Sequence, residues 1–221
     1  MIQPSAFRGV FTDRGNLFTR KLAGGSVYGE RIFNVGAESF REWNPWRSKL
    51  AAAIRNGLRE LPLERDSSVL YLGAASGTTA SHVSDLCPDG RVVCVEVSPR
   101  SFRDLLAVAA PRPNMLPVKA DARHPERYRP TAGECDLLYQ DIAQRDQDAM
   151  FLRNAGMFLR PGGRGMLMIK SRSIAVADRP DDVFRRVIAS LESERRLKIT
   201  ETVRLEPFHK DHLAVCIIWK S

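Results

Sequence analysis

Residues 68–79 read Ser68-Val69-Leu70-Tyr71-Leu72-Gly73-Ala74-Ala75-Ser76-Gly77-Thr78-Thr79. A short apolar run stops at Gly73, passes through small residues and opens into a helical stretch over 79–86. An apolar run of this length, bounded by glycine, reads as a fully buried strand. Small residues between strand and helix let the backbone approach a ligand, and the helix start offers unpaired N–H groups. No Lys follows the glycines, so this is not a Walker loop, and Gly-x-Gly-x-x-Gly is absent. A pyrophosphate ligand is therefore not implied.

The same grammar repeats downstream. Strand patterns over 91–97, 115–119, 135–140 and 165–170 alternate with helix patterns over 100–109 and 147–159. Pro161-Gly162-Gly163 reads as a turn. Val183, Phe184, Val187, Ile188 and Leu191 mark a further helix face, and 198–205 and 213–219 follow as two strands with no helix between them. Repeated βα units demand a mainly parallel sheet covered on both faces. The final pair implies one reversed strand. The expectation is α/β, with seven strands and one antiparallel.

Upstream of residue 66 the pattern differs. Strand-like pieces at 9–11, 17–22, 31–35 and 38–40 are separated by turn residues such as Asp13-Arg14-Gly15-Asn16 and Gly24-Gly25. This predicts a small N-terminal β-hairpin region over 1–66 ahead of a larger domain over 67–221. One helix closes that region, with Asn44 as N-cap, Pro45 at its first position and Pro62 as its stop. Its apolar face would comprise Trp46, Leu50, Ile54, Leu58 and Leu61.

The net charge of +8 is unevenly spread. Residues 1–66 carry 11 basic and 7 acidic side chains, net +4; residues 67–150 carry 9 and 11, net −2; residues 151–221 carry 14 and 8, net +6. Basic flanks attract a polyanion, while the slightly acidic middle accepts a cationic ligand. Apolar runs fall far short of the ~18 residues a membrane span needs, and the first residues lack a signal peptide's apolar core, so a cytoplasmic location is expected. Neither the four Cys nor the four His show zinc-ligand spacing, and no metal is expected. Cys94, Cys135 and Cys216 sit in apolar runs, as small core hydrophobes do.

In a sheet of this kind ligands bind beyond the carboxyl ends of the strands, at the switch in strand order. Four strand ends carry unusual residues: the Gly73–Thr79 loop, Glu96, Asp121-Ala122, and Asp141-Ile142-Ala143-Gln144. Glu96, 23 residues after Gly73, suits ribose hydroxyls. Asp121 with a small neighbour suits an adenine amino group. Together they describe a pocket for an adenosine without phosphates, which points to S-adenosylmethionine. Lys170, ending an apolar strand, would face Asp141 across the crevice. A cation placed there is costly unless it is paired or used.

These residues resemble the fibrillarin family. The resemblance is carried by 69–83, Glu96-Val97-Ser98-Pro99-Arg100, Asp121-Ala122-Arg123-His124-Pro125 and Tyr139-Gln140-Asp141-Ile142-Ala143-Gln144. It extends to Ile169-Lys170-Ser171-Arg172-Ser173-Ile174, to 205–212, and to Trp43-Asn44-Pro45-Trp46-Arg47-Ser48-Lys49-Leu50. It covers almost the whole chain and, without a Gly/Arg-rich N-terminal extension, is to the short archaeal form. Val97 stands where that family usually has Phe, which would loosen stacking on the adenine, and Cys87-Pro88 replaces a Gly-containing turn.

The resemblance implies a Rossmann-like class I methyltransferase that uses S-adenosylmethionine for guide-directed ribose 2′-O-methylation of rRNA and tRNA. It implies a cofactor site of Gly73, Ala75, Thr78, Thr79, Glu96, Val97, Asp121, Ala122, Asp141, Ile142, Ala143 and Gln144. The implied catalytic set is Lys49, Asp141, Lys170 and His212. It also implies partners: a box C/D guide RNA with its target rRNA or tRNA, a Nop-domain scaffold protein, and a kink-turn-binding ribosomal-like protein.

The chemistry is consistent with that set. A ribose hydroxyl must lose its proton as it attacks, so alignment, a proton acceptor and stabilisation of alkoxide character are required. Lys170 would orient and deprotonate the hydroxyl with its pKa depressed by Lys49; Asp141 would orient Lys170; His212 would act from the opposite wall. Two other readings stand beside this one: methylation of a protein side chain such as glutamine, and a non-catalytic assembly subunit. The chain shows no second RNA-reading module, so target choice is expected to come from partners.

Overall fold

The computed structural model describes residues 1–220. An N-terminal sheet is built from β1 (Gln3–Pro4), β2 (Val10–Asp13), β3 (Asn16–Arg20), β4 (Ile32–Val35) and β5 (Glu38–Trp43), in the order β1-β2-β3-β5-β4, antiparallel throughout. The expected hairpins thus merge into one sheet. Arg14 and Gly15 both take positive φ (48° and 81°) between the paired Asp13 and Asn16. That is the two-residue turn whose twist matches the flanking strands.

Helix α1 (Lys49–Arg55) follows. It starts later than Asn44 and Pro45 suggested. The cap is Ser48, whose Oγ accepts from Ala51 N–H and from the Trp43 indole at 2.9 Å. The Asn44 side chain instead accepts from Trp46 N–H at 2.9 Å in a local turn. The helix ends at Asn56, with Gly57 at φ 92°. Leu58 is buried beyond the helix, whereas Trp46, expected on the apolar face, is exposed.

The larger part runs β6 (Ser68–Leu72), α2 (Thr78–Leu86), β7 (Arg91–Glu96), α3 (Pro99–Ala109), β8 (Met115–Lys119), α4 (Arg129–Ala132), β9 (Cys135–Gln140), α5 (Gln147–Phe158), β10 (Leu159–Lys170), α6 (Ser171–Ile174), α7 (Pro180–Glu192), β11 (Leu197–Arg204) and β12 (His212–Trp219). The sheet order is β11-β12-β10-β9-β6-β7-β8. Only β12 is reversed among its described strands, as expected. The Pro161-Gly162-Gly163 segment is not a free turn. It lies within β10, where the register with β9 slips between Leu159 and Arg164.

Strand periodicity sorts the core. Val69, Tyr71, Tyr139, Met168 and Ala214 face α1, α2, α3 and the N-terminal sheet. Leu70, Leu72, Leu138, Ile169 and Leu213 face α5 and α7. The N-terminal sheet is tied to α2 by a buried polar network. Arg41 donates to Glu30 Oε1 (2.8 Å), Asp85 Oδ2 (2.7 Å) and Ser81 Oγ (3.0 Å), and Arg112 donates to Asp85 Oδ1 (2.7 Å).

Candidate active site

The chain leaves β6 toward β7 on one side and later places β9 on the other, so β6 and β9 flank the switch point. Their ends touch. A Cβ on Gly73 (φ 78°) would lie 2.4 Å from the Asp141 carbonyl oxygen, so only glycine permits this approach. Ala75 is also left-handed (φ 47°), and its N–H donates to Glu96 Oε2 at 2.8 Å. Ser98 N–H donates to the other Glu96 oxygen at 2.7 Å. Glu96 is thereby fixed at the end of β7, with lone pairs left on both oxygens.

A cavity of about 460 Å³ opens here. Gly73, Ala75, Glu96, Val97, Asp121, Ala122, Asp141, Ile142, Ala143 and Gln144 all line it. Thr78 and Thr79 begin α2 beside the cavity and are not in its lining; the Thr79 hydroxyl donates to Ser48 Oγ at 3.0 Å. Val95, Ser101, Ala120, Arg123 and Met150 line it as well. Sequence reading gave these five no role. Arg123 organises the far wall. Its guanidinium donates twice to Asp146 and once to Gln144 Oε1, each at 3.0 Å, while its backbone N–H donates to Asp121 Oδ1 at 2.9 Å. The Arg123 guanidinium beside Asp146 holds that carboxyl below its usual range.

Asp141 also faces a second group of residues. Lys49, the first residue of α1, donates to both of its oxygens at 2.8 and 2.7 Å. The expected Asp141–Lys170 pair is not formed: Asp141 is engaged by Lys49, and Lys170 has no ion-pair partner among the described residues. The two residues of the observed pair lie 92 positions apart, and α1 brings them together by packing on the Tyr139 face of the sheet. Lys170 ends β10 and His212 begins β12, directly opposite in register. Two-residue periodicity puts Lys170 with Met168, and His212 with Ala214, on that same face. All four predicted catalytic side chains therefore share it.

His212 Nδ1 approaches the Lys210 carbonyl at 2.6 Å, and His209 Nε2 approaches the Pro45 carbonyl at 2.9 Å. A carbonyl only accepts, so each of those nitrogens carries a proton and His212 Nε2 is left as an acceptor in the neutral ring. Burial, together with the positive charge of Lys49, holds both imidazoles below the ordinary value. Sequence reading assigned no role to His209, nor to Gln147. The buried Gln147 amide accepts from Lys170 N–H (3.2 Å) and donates to the Gln144 carbonyl (2.8 Å), fixing the backbone beneath Lys170.

Residues 2–221 match the family model described as Fibrillarin. The chain is 49% identical over 210 residues to the fibrillarin-like rRNA/tRNA 2′-O-methyltransferase of Methanothermobacter thermautotrophicus, covering 95% of this chain and 93% of that one. Aeropyrum pernix fibrillarin, solved with natively bound S-adenosyl-L-methionine, superposes with a TM-score of 0.90 at 45% identity, over 98% and 97% of the two chains. A fibrillarin solved in complex with Nop5p superposes with a TM-score of 0.91 at 39% identity, over 99% of this chain and 100% of that one.

Proposed function

We propose that this chain, which belongs to the fibrillarin family, transfers a methyl group from S-adenosylmethionine to ribose 2′-hydroxyls of rRNA and tRNA. We place it in a cytoplasmic particle with a box C/D guide RNA, a Nop-domain scaffold and a kink-turn-binding protein. The observation that carries the reading is Asp141, which walls the cavity and also binds Lys49 beside Lys170 and His212.

The residues present fit the cofactor. The cavity lining holds the carboxylates of Glu96 and Asp121, with that of Asp141 already paired to Lys49, against one guanidinium already committed to Asp146 and Gln144. Such a lining favours a cationic ligand and disfavours a pyrophosphate. Glu96 would hold the ribose hydroxyls, Asp121 the adenine amino group, and Val97 with Ile142 the ring. The backbone of Gly73–Ala75 and the start of α2 at Thr78-Thr79 would hold the remainder. When bound, S-adenosylmethionine supplies an electrophilic methyl on a positively charged sulfur.

This chain's own residues would orient the hydroxyl and manage its proton. The Lys49–Asp141 pair fixes the carboxylate at the cavity wall. Lys170, with no carboxylate partner of its own, is the cation available to stabilise negative charge on the ribose oxygen. His212 Nε2, neutral and free to accept, stands at the same strand ends.

Target choice would come from the particle, because cations neutralise phosphates without reading sequence. The test is a methyl-transfer assay on one target RNA, with the chain alone and with guide RNA plus scaffold proteins. Efficient, site-specific transfer is expected only in the assembled particle. Rapid, site-specific transfer by the chain alone at moderate salt would mark a stand-alone enzyme. No transfer to ribose under either condition would overturn the reading.

A further inference from the structure

The parallel pairing of β9 and β10 ends at Gln140 opposite Leu167, three residues short of Lys170. Beyond that point β9 gives way to Asp141 and the loop that walls the cavity. A side chain takes the place of the missing strand. Gln147, the first residue of α5 and fully buried, accepts from Lys170 N–H at 3.2 Å and donates to the Lys170 carbonyl at 3.3 Å. The same amide nitrogen donates to the carbonyl of cavity-lining Gln144 at 2.8 Å, so both of its hydrogens are used. Gln147 is gripped in turn by Gln140, whose amide donates to the Gln147 carbonyl at 2.7 Å. Gln140 is the last residue of β9, directly before Asp141. Two buried amides thus span the gap between the strand end that carries Asp141 and the strand end that carries Lys170.

This brace is not the cheapest way to fill the space. Gln140 Oε1 is buried with no hydrogen-bond partner among the described residues, a cost that an apolar side chain would avoid. What the brace adds is definition at one residue pair. Lys170 spends its N–H and carbonyl on Gln147, while His212, opposite it in register, turns its carbonyl the other way to accept from Leu205 N–H at 3.2 Å. Opposite residues of an antiparallel pair that do not bond each other are the closely spaced kind, with Cα atoms about 4.5 Å apart and side chains nearest. The Gln147 amide therefore closes the outer edge of the pair that presents Lys170 and His212 together.

Resting on the ribose-methylation reading above, we propose that Gln147 is a positioning residue for methyl transfer. It acts through Lys170. It fixes the backbone from which the Lys170 ammonium is aimed, and it ties that backbone to the cavity wall through Gln144. A cation stabilises developing charge only where it is already in place, and a lysine on a loose strand end is not held there.

The experiment uses the assembled particle and a target oligonucleotide complementary to its guide. Gln147→Met matches the side chain in length and removes the amide. Its single-turnover rate at saturating target and cofactor is expected to fall by roughly 10-fold to 10²-fold, the latter being the effect of a 1 Å misplacement. KM for the target and cofactor affinity should stay near the parent's. Lys170→Ala keeps the backbone groups that Gln147 holds, so adding Gln147→Met to it should lower the rate no further. A merely structural role would give the same loss in both backgrounds. Hydrogen exchange followed by NMR should show the Lys170 amide losing protection in Gln147→Met while the centre of β10 keeps its own. If Gln147→Met did not fold, Gln147→Glu, which keeps an acceptor for Lys170 N–H and loses the donor to its carbonyl, would be read in the same two backgrounds with the same expectation. A rate equal to the parent's, an equal loss with and without the Lys170 ammonium, or an unaltered Lys170 amide would overturn the proposal. If the parent itself failed to methylate ribose, the activity reading would fall, while amide exchange would still decide whether Gln147 holds Lys170.

Discussion

Two aspartates in this molecule meet cations in opposite ways. Asp85 is buried where the N-terminal sheet meets α2, and its oxygens accept from Arg41, Arg112, Thr19 and the Leu22 N–H. With Glu30 included, that network balances two guanidiniums against two carboxylates, all out of contact with water. Asp141 stands half-buried at the cavity, bound by Lys49 alone, while Lys170, on the same face at the end of the neighbouring strand, has no ion-pair partner among the described residues. The charge balances where it is buried and is in excess by one cation where solvent and substrate can reach it. Buried ions need complete pairing to be tolerated, so a closed network has no spare capacity for chemistry. An open cluster tolerates an unmatched cation and can spend it on charge that develops in a reaction.

The contrast breaks most visibly at Arg41. Arg41→Ala leaves Glu30 and Asp85 short of a buried partner and is expected to cost about 3–5 kcal/mol of folding stability. Urea unfolding measures this, with methyl transfer near the parent's wherever the variant stays folded. Lys170→Ala should show the reverse: a single-turnover rate lower by roughly 10²-fold or more, the scale of a positioned acid–base group, with stability changed by less than ~0.5 kcal/mol. A Lys170 variant with normal turnover, or one that unfolds, would erase the distinction between the two clusters.

Asp121 lies between these extremes, accepting from Arg123 N–H yet lining the cavity. Asp121→Ala should weaken S-adenosylmethionine binding by about 1–3 kcal/mol, the scale of a lost buried hydrogen bond. The Arg123–Asp146 clamp would remain to hold the wall. Calorimetry showing the parent's affinity would remove Asp121 from the cofactor site.

The open site was more legible in sequence than the closed network. Ten of the twelve expected cofactor residues line one cavity, because βα periodicity places strand ends and strand ends place ligands. Lys170 and His212 share a face for the same periodic reason. The Lys49–Asp141 pair was hidden because it depends on how α1 docks, not on any local spacing. Arg123 with Asp146, and Gln147 under Lys170, were hidden likewise: each is a polar residue whose partner is set by tertiary packing. The helix start was read at Asn44-Pro45, a good start signal, but the cap falls at Ser48, whose hydroxyl is held by the buried Trp43 indole, a tertiary contact that no local spacing shows.

Histidines offer a finer probe of the same contrast. His82 lies in the closed region, stacked on Trp43 at 5.0 Å, with Thr19 and the Tyr28 hydroxyl each at 2.8 Å from a ring nitrogen. Burial first, then the charges of Arg41 and Arg112, push it well below 6.5, despite Asp85 4.0 Å away. His209 and His212 are also lowered but stay partly open to solvent. For all three the fold favours the neutral ring, so the stability they contribute is complete above the unfolded value of about 6.5 and is lost as pH falls and the unfolded chain takes up protons. If His82 stays neutral while folded, it alone removes about 0.8 kcal/mol between pH 7.5 and 6 by this linkage. NMR of the imidazole protons should show His209 and His212 titrating reversibly below 6.5 in the folded protein, and His82 keeping its neutral signature until unfolding. A folded His82 that titrates near 6.5 would mean the network admits an extra charge, and the division between a closed structural cluster and an open reactive one would fail there.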